Sequence, residues 1–241
     1  MAKPFLSIII PAYNEENRLL DTLQEVAEFL PSLPFSAEVL VVENGSNDRT
    51  WEIAREFDLR YDNFRALQEH QRGKGLAVRR GMLEAVGEYR FMCDADLSMP
   101  LDEIIRFLPP SLTNFDVAIG SREAQGSVRY NEPLHRHWGG RMVNFLIRLL
   151  VLPGMQDTQC GFKCFHGSVA NILFSQQTLG GLSFDIEILF IAKKAGFRIV
   201  EIPIPWYFNT DSKVDPGRDA IRMVMDILKV RWNALRGVYQ Y

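Results

Sequence analysis

The 241-residue sequence is poor in cysteine, with only Cys93, Cys160 and Cys164, and it shows no signal-peptide pattern. An odd number of thiols without a leader argues against a disulfide-stapled secreted scaffold and for a reducing compartment. Cys160 and Cys164 lack a second Cys/His pair at zinc-ligand spacing, so they read as small buried apolar residues. Positive charge is not in excess either. At a formal net charge of −3 there is no global basic field, so nucleic acid is not an expected partner. Long apolar runs are also missing, since none reaches the roughly 18 residues that a membrane-spanning helix needs. The longest candidate, Met142 to Leu152, is interrupted by Asn144 and Arg148 and stops at Pro153. The chain is therefore expected to be soluble or to lie on a membrane, not to span one. No internal repeat, low-complexity tract or linker divides it, and a single domain over residues 1–241 is expected. Its 47% hydrophobic and 24% charged residues are an ordinary globular balance.

What is present is an alternation of apolar strands and helices. Leu6 to Ile10 is a continuous β-branched and apolar run, as expected of a strand buried on both faces, and Pro11 ends it. Leu19, Leu20, Leu23, Val26, Ala27 and Leu30 recur at helical spacing up to Pro31. Val39 to Val42 and Phe64 to Leu67 read as further strands, as do Tyr89 to Cys93 and Phe115 to Ile119. Helices are expected around Trp51 to Phe57, over Gly75 to Val86 and over Pro100 to Leu108. This pattern predicts an α/β fold with a mostly parallel sheet flanked by helices. From Ser121 to His137 the sequence is polar and rich in turn residues, and a loop of that length is usually functional. Beyond it the reading gives a helix from Trp138 to Leu152 and an extended piece at Phe162 to Phe165. A helix from Phe184 to Ala195, a strand from Arg198 to Ile202 and a final helix from about Pro216 follow.

Ligands of open α/β sheets bind outside the carboxyl ends of the strands, and the unusual residues fall there. Pro11-Ala12-Tyr13-Asn14-Glu15 follows the first strand, Glu43-Asn44 the second, and Asp94-Ala95-Asp96 a later one. Two carboxylates one residue apart at a strand mouth suit a hard divalent cation, Mg²⁺ or Mn²⁺, that also holds a diphosphate. Ser98 is a further neighbour of that pair. Lys74 lies in Arg72-Gly73-Lys74-Gly75, where glycines permit close approach of the backbone to a ligand. In the second half stand Gly120-Ser121-Arg122, Asp157-Thr158-Gln159-Cys160-Gly161-Phe162-Lys163, Phe184-Asp185-Ile186-Glu187 and Ser212-Lys213.

In order and spacing the first set of motifs resembles the nucleotide-sugar half of the GT-A, family-2 glycosyltransferases. The second set resembles the polyprenyl-phosphate members of that family. The Asp157–Lys163 string and the Arg72–Gly75 block are shared more fully with the dolichyl-phosphate glucosyltransferase branch than with the mannosyltransferase branch. The resemblance covers roughly residues 5–215. It implies a nucleotide-sugar-binding half over 1–120 and an acceptor half over 121–241. It implies that residues 11–15 cradle base and ribose, that Glu43 contacts the nucleoside, and that Lys74 lies near the nucleotide. Glu43-Asn44 departs from the family's usual pair of aspartates. Asp94 and Asp96 would hold the cation. Members of that branch carry an N-terminal membrane anchor and some relatives C-terminal spans; neither is expected in these 241 residues.

The implied activity is metal-dependent, inverting transfer of a hexose, glucose from UDP-glucose, to a polyprenyl phosphate. GDP-mannose, another donor, or a soluble hydroxyl acceptor are the alternatives. An ionised phosphate acceptor needs little general-base help but does need cations beside the reacting centre. Arg122, Arg129 and Lys213 are the candidates, with Arg136 a weaker fourth. Asp157 either orients or activates the acceptor, or holds a catalytic arginine, or caps the element that follows. A soluble hydroxyl acceptor would make it the base. Asp185 and Glu187 either belong to the site or favour the dipole of the helix they begin. His135 and His137 read as loop or headgroup contacts rather than a metal pair, and Trp206-Tyr207-Phe208 as core or interfacial anchor. The helices at Trp138–Leu152 and beyond Pro216 are basic and amphipathic, which suits an anionic membrane surface at the cytoplasmic face. Packing on the domain or at a homo-oligomer interface fits them equally.

Overall fold

Strand β1, Leu6–Ala12, is buried at every residue, which is possible only when both faces of its sheet are covered. The computed structural model describes residues 3–131, 151–208 and 216–240. In these, β2 is Ala37–Glu43, β3 Phe64–Gln68, β4 Tyr89–Cys93 and β5 Val117–Ser121. Next come the short β6, Val128–Tyr130, then β7, Phe162–His166, β8, Ile199–Pro203, and β9, Pro205–Tyr207. The helices are α1 Leu19–Phe29, α2 Thr50–Arg60, α3 Lys74–Glu84, α4 Gly167–Ser175, α5 Phe184–Lys194 and α6 Pro216–Leu235. Seven strands form one sheet in the order β3-β2-β1-β4-β7-β5-β8, and β6 and β9 form a small second one.

The period-2 alternation of strand side chains divides the core. Ile8, Ile10, Val39, Val41 and Phe91 face α1, α2 and the 3-10 helix Leu101–Phe107. Ile9, Leu40, Val42 and Met92 face the layer of α3, α4, α5 and α6. On α6, Met223, Ile227 and Val230 join that core, whereas Met225, Leu228, Trp232 and Leu235 point outward.

The expected α/β layering holds, with one informative departure. Strand β7 runs antiparallel to both neighbours, pairing Cys93 with Phe162 and Ile119 with Lys163. A parallel strand begins at the edge opposite the one where its neighbours end; an antiparallel one begins at the same edge. Residues 157–161, which precede β7, are thus delivered to the edge where β1, β2, β4 and β5 finish. Two other elements differ from expectation. The polar segment after Ser121 contains β6, which pairs in parallel with β9, and α4 follows β7 directly. A three-residue strand is too short to show a period, and α4 begins at a glycine without a capping hydrogen bond from His166. The expected helix at Trp138–Leu152 lies almost entirely outside the described residues.

Candidate active site

The register β1–β2 aligns Ala12 with Glu43, so the first two motif loops leave the sheet side by side and knit together. Asn14 donates its backbone N–H to Ser46 Oγ (3.0 Å), and its own Oδ1 accepts from the N–H of Asn47 (2.9 Å). The N–H of Glu15 reaches Thr50 Oγ1 at 2.7 Å, and Asp48 caps α2 through the Thr50 N–H (3.0 Å). Tyr13 lies beneath the Arg72 guanidinium, 4.4 Å from carbon to ring centroid, a cation–π contact that ties the first loop to the third. Glu43 is buried and accepts from the Ser46 N–H, with Gln68 Nε2 3.5 Å away. It closes the turn after β2.

At the end of β4, Asp94 Oδ1 sits 2.6 Å from Lys74 Nζ, and both side chains keep about a quarter of their surface exposed. Burial disfavours the Lys74 ammonium, yet the carboxylates of Asp94, Asp185 and Asp96 outweigh it and raise its pKa above the ordinary value. Asp96 Oδ1 accepts from the Ser98 N–H (3.0 Å), and the Ala95 carbonyl is held by Thr22 Oγ1 from α1 (2.7 Å). A Cβ at position 161 would overlap the Asp94 carboxylate. Gly161 is therefore what leaves Asp94 its place at the strand mouth.

The glycines around Lys74 have a different partner from the one expected. A Cβ on Gly73 would collide with the Gly180 carbonyl. One on Gly75 would come within 2.9 Å of the Leu179 and Gly181 carbonyls and 2.7 Å of Phe184 Cβ. They allow close approach to the chain's own 179–184 segment rather than to a ligand, and the Leu76 N–H bonds the Gly180 carbonyl (3.3 Å).

Arg122 and Asp157 meet across 35 residues. Arg122 Nε donates to Oδ2 at 2.6 Å and Nη2 to Oδ1 at 2.9 Å, while the Arg122 backbone N–H adds a third bond at 3.0 Å. Asp157 is fully buried, whereas Arg122 keeps 21% of its side chain exposed. Burial would raise the Asp157 pKa, but the guanidinium and its hydrogen bonds overcome this and draw it from 3.8 to about 2. Arg122 and Arg129 both lie over the Trp206 ring, at 5.5 and 5.8 Å from its centroid. Arg129 also reaches the Arg122 carbonyl (3.1 Å) and pairs with Glu123. The β6–β9 register places Arg129 opposite Trp206 and Tyr130 opposite Tyr207, whose rings stack at 4.5 Å. Trp206 is thus a platform beneath the arginines. The Tyr207 N–H bonds the Ser98 carbonyl (2.8 Å), joining this cluster to the Asp94–Asp96 loop.

Between the two clusters lies a buried pair the sequence did not announce, Lys163 Nζ to Asp185 Oδ1 at 2.7 Å. Asp185 accordingly faces a cation rather than merely the start of α5. Burial raises its pKa, and Lys163 and Lys74 offset that only in part. The cysteines are buried as expected, and burial pushes the Cys160 thiol up to about 12. Lys213, Arg136, His135 and His137 lie outside the described residues. The roles of Arg72 over Tyr13 and of Glu123 beside Arg129 went unassigned in the sequence, because a lone loop charge carries no local signal.

The sheet order and the carboxylates, lysine and arginines at one sheet edge define a GT-A-type glycosyltransferase. The pattern of glycosyl transferase family 2 matches residues 7–174, and the chain belongs to that family. Among curated relatives it is 32% identical to dolichyl-phosphate beta-glucosyltransferase of Dictyostelium discoideum, over 98% of this chain and 76% of that protein. Its likeness to the Homo sapiens protein of the same name is 32% over 98% of this chain and 77% of the relative. The fold resembles glucosyl-3-phosphoglycerate synthase from Mycobacterium tuberculosis, solved with Mn²⁺, UDP-glucose and phosphoglyceric acid. There the TM-score is 0.70 at 16% identity, over 95% of this chain and 80% of that one.

Proposed function

We propose that this glycosyltransferase moves a hexose, glucose from UDP-glucose, onto a polyprenyl phosphate with inversion at the anomeric carbon. The observation that carries this reading is the Arg122–Asp157 pair. Both Asp157 oxygens are engaged by Arg122 and its pKa is depressed to about 2. A carboxylate so held is a poor proton acceptor. It suits a different task, fixing a guanidinium where an anion must be met. Arg129 on the same Trp206 platform adds a second cation, and Lys213 is proposed as a third. An acceptor already ionised fits such a cluster, whereas a neutral hydroxyl acceptor with Asp157 as base does not. The names of the curated relatives point the same way.

On the donor side, the Pro11–Glu15 loop, Glu43 and Lys74 are proposed to receive the nucleotide, with Asp94-Ala95-Asp96 facing its diphosphate. Among the described residues no three acidic, histidine or cysteine side chains gather to hold a metal by themselves. The hard oxygens of Asp94 and Asp96 nonetheless fit Mg²⁺ or Mn²⁺ if phosphate oxygens complete the ligand set, and Gly161 leaves Asp94 room. With Asp94 tied to Lys74, Asp96 is the less committed carboxylate. A bound cation would offset charge on the departing nucleoside diphosphate. Lys74 positions Asp94, the Trp206 arginines hold the acceptor phosphate, and Asp157 keeps Arg122 in register with it.

No described helix is long and apolar enough to cross a membrane. The outward residues Met225, Leu228, Trp232 and Leu235 of α6, beside the exposed Lys229, Arg231 and Arg236, support peripheral contact with an anionic membrane surface. The test is a panel of nucleotide sugars with a short polyprenyl phosphate and Mn²⁺ or Mg²⁺, read by the mass of the lipid product. A glucosyl lipid that disappears with chelator is expected. Transfer only to hydroxyl acceptors would overturn the reading, and tighter binding of GDP than of UDP would move it to a mannosyl donor.

A further inference from the structure

Glu187, on α5, is fully buried and has no cationic partner among the described residues. A buried carboxylate without a counter-charge is costly unless several donors converge on it, and here four do. Its Oε2 accepts the N–H groups of Thr178 (3.0 Å) and Leu179 (2.8 Å). Its Oε1 accepts the Thr178 hydroxyl (2.5 Å) and the Tyr239 hydroxyl (2.7 Å). Asn233 of α6 donates to Thr178 Oγ1 (3.1 Å) and to the Tyr239 oxygen (3.3 Å), so the C-terminal segment is tied into the same knot.

The backbone that Glu187 gathers is the one on which the start of α3 rests. Gln177 Nε2 donates to the Gly75 carbonyl (2.8 Å) and to the Leu179 carbonyl (2.6 Å). The Gly180 carbonyl takes the Leu76 N–H, one of the helix-start donors that no side chain caps. Gly73 and Gly75 leave no space between the two segments. Lys74 stands between those glycines, with its ammonium on Asp94.

We propose that Glu187 is a positioning residue of the donor site. By fixing Thr178 and Leu179, and through them the Leu179–Gly181 carbonyls, it holds the start of α3 so that Lys74 meets Asp94. It touches no substrate, and Tyr239 serves the same end from the C-terminal segment. The inference rests on the reading that Lys74 and Asp94 face the nucleotide.

The experiment is UDP calorimetry with Mn²⁺ on the full chain, together with KM for the nucleotide sugar and kcat. The variants are Glu187→Gln, Tyr239→Phe, Lys74→Ala and Glu187→Gln/Lys74→Ala. Leu33→Ala, in the core beneath α1, supplies a purely structural loss of stability. Glu187→Gln puts an amide group among donors and should weaken UDP by about tenfold, raising KM more than it lowers kcat. Tyr239→Phe, which removes one hydroxyl, should weaken it by about threefold. In the Lys74→Ala background Glu187→Gln should add nothing, because residues acting in series are not additive. Leu33→Ala should lower the melting temperature without changing UDP affinity.

Full additivity, or equal UDP loss in Leu33→Ala at matched stability, would overturn the proposal and leave the donor-site reading intact. Unchanged UDP affinity in Lys74→Ala would overturn that reading and the proposal with it. If Glu187→Gln fails to fold, Tyr239→Phe decides alone, and wild-type UDP affinity in it overturns the proposal.

Discussion

The two halves of the candidate site are built by different means. On the donor side, loops leaving adjacent parallel strands are joined by hydrogen bonds to Ser46, Asn47, Thr50 and Thr22, few of them between charged partners. The ion pairs there, Lys74–Asp94 and Arg18–Glu15, are both partly open to solvent. On the acceptor side the order is reversed. A fully buried carboxylate grips Arg122 with both oxygens, and a second arginine shares the same tryptophan. On the proposed division, each half places its specificity differently. The half proposed for the donor presets backbone shape around a ligand of fixed outline. The half proposed for the acceptor presets charge, because a guanidinium locked by a buried partner needs no reorganisation when an anion arrives. The desolvation of Asp157 is a real cost, offset by the bidentate Arg122 contact and by the backbone N–H groups of Arg122 and Gln159.

If the division is right, the largest effect of a single change belongs to the donor half. Asp96→Asn removes the carboxylate least engaged by other side chains. Transfer should fall by about a hundredfold or more, since a metal contributes several kcal/mol to stabilising the departing charge. Steady-state transfer over a Mn²⁺ series checks it, and rescue of full activity by excess metal would show that Asp96 only tunes affinity. The acceptor half should give the next effect. Arg122→Ala should lower transfer by about ten- to a hundredfold while UDP affinity stays at the wild-type value. Arg122→Lys should recover little, because an ammonium cannot reproduce the fork on Asp157. Loss of UDP affinity in Arg122→Ala would erase the distinction between the halves.

The meeting of residues 11–15, 43–44 and 94–96 at one edge was legible in the sequence because each motif directly follows an apolar strand, so topology alone carries them there. Lys74 lies on Asp94, but its flanking glycines are spacers against the 179–184 backbone rather than room for a ligand. The acceptor half was legible only as residue types. Asp157 and Arg122 are 35 residues apart, and nothing local says that an antiparallel β7 brings residue 157 beside the end of β5. The Lys163–Asp185 pair and the Trp206 platform were hidden for the same reason. Partners fixed by strand order leave no periodic trace, and β6 and β9 are too short to show one.

Gly161 lies where the halves meet, five residues before the end of β7 and against Asp94. Gly161→Ala forces its methyl group into the Asp94 carboxylate, so the carboxylate must leave its present place on Lys74. The expected result is a loss of roughly tenfold in UDP affinity, the scale of one charge-assisted contact. The Arg122–Asp157 pair and the melting temperature should change far less. Calorimetry with UDP and thermal unfolding on the same sample separate the two. A variant that keeps UDP affinity would mean that the Lys74–Asp94 contact is incidental to the donor half.

The smallest effect near neutral pH is expected from protons on Asp157, and it tests whether the acceptor half is held by charge at all. The carboxyl titrates at about 2 in the folded chain against an ordinary 3.8. A group whose pKa is depressed by folding stabilises the fold above its unfolded value and loses that contribution as pH falls through its folded value. The pair should therefore contribute fully above about pH 5, about 2 kcal/mol for the cited shift, and lose that contribution as the pH falls through about 2. Urea midpoints of wild type and Asp157→Asn should keep a constant gap from pH 8 to pH 5, and the gap should close only in stronger acid. By the same argument, wild-type transfer between pH 5 and 8 should show no limb that Asp157→Asn removes. A gap that narrows already between pH 7 and 6 would mean a carboxyl that exchanges protons in the working range. Asp157 would then be free to act as a base, and the acceptor half would have to be read again as a site for a hydroxyl.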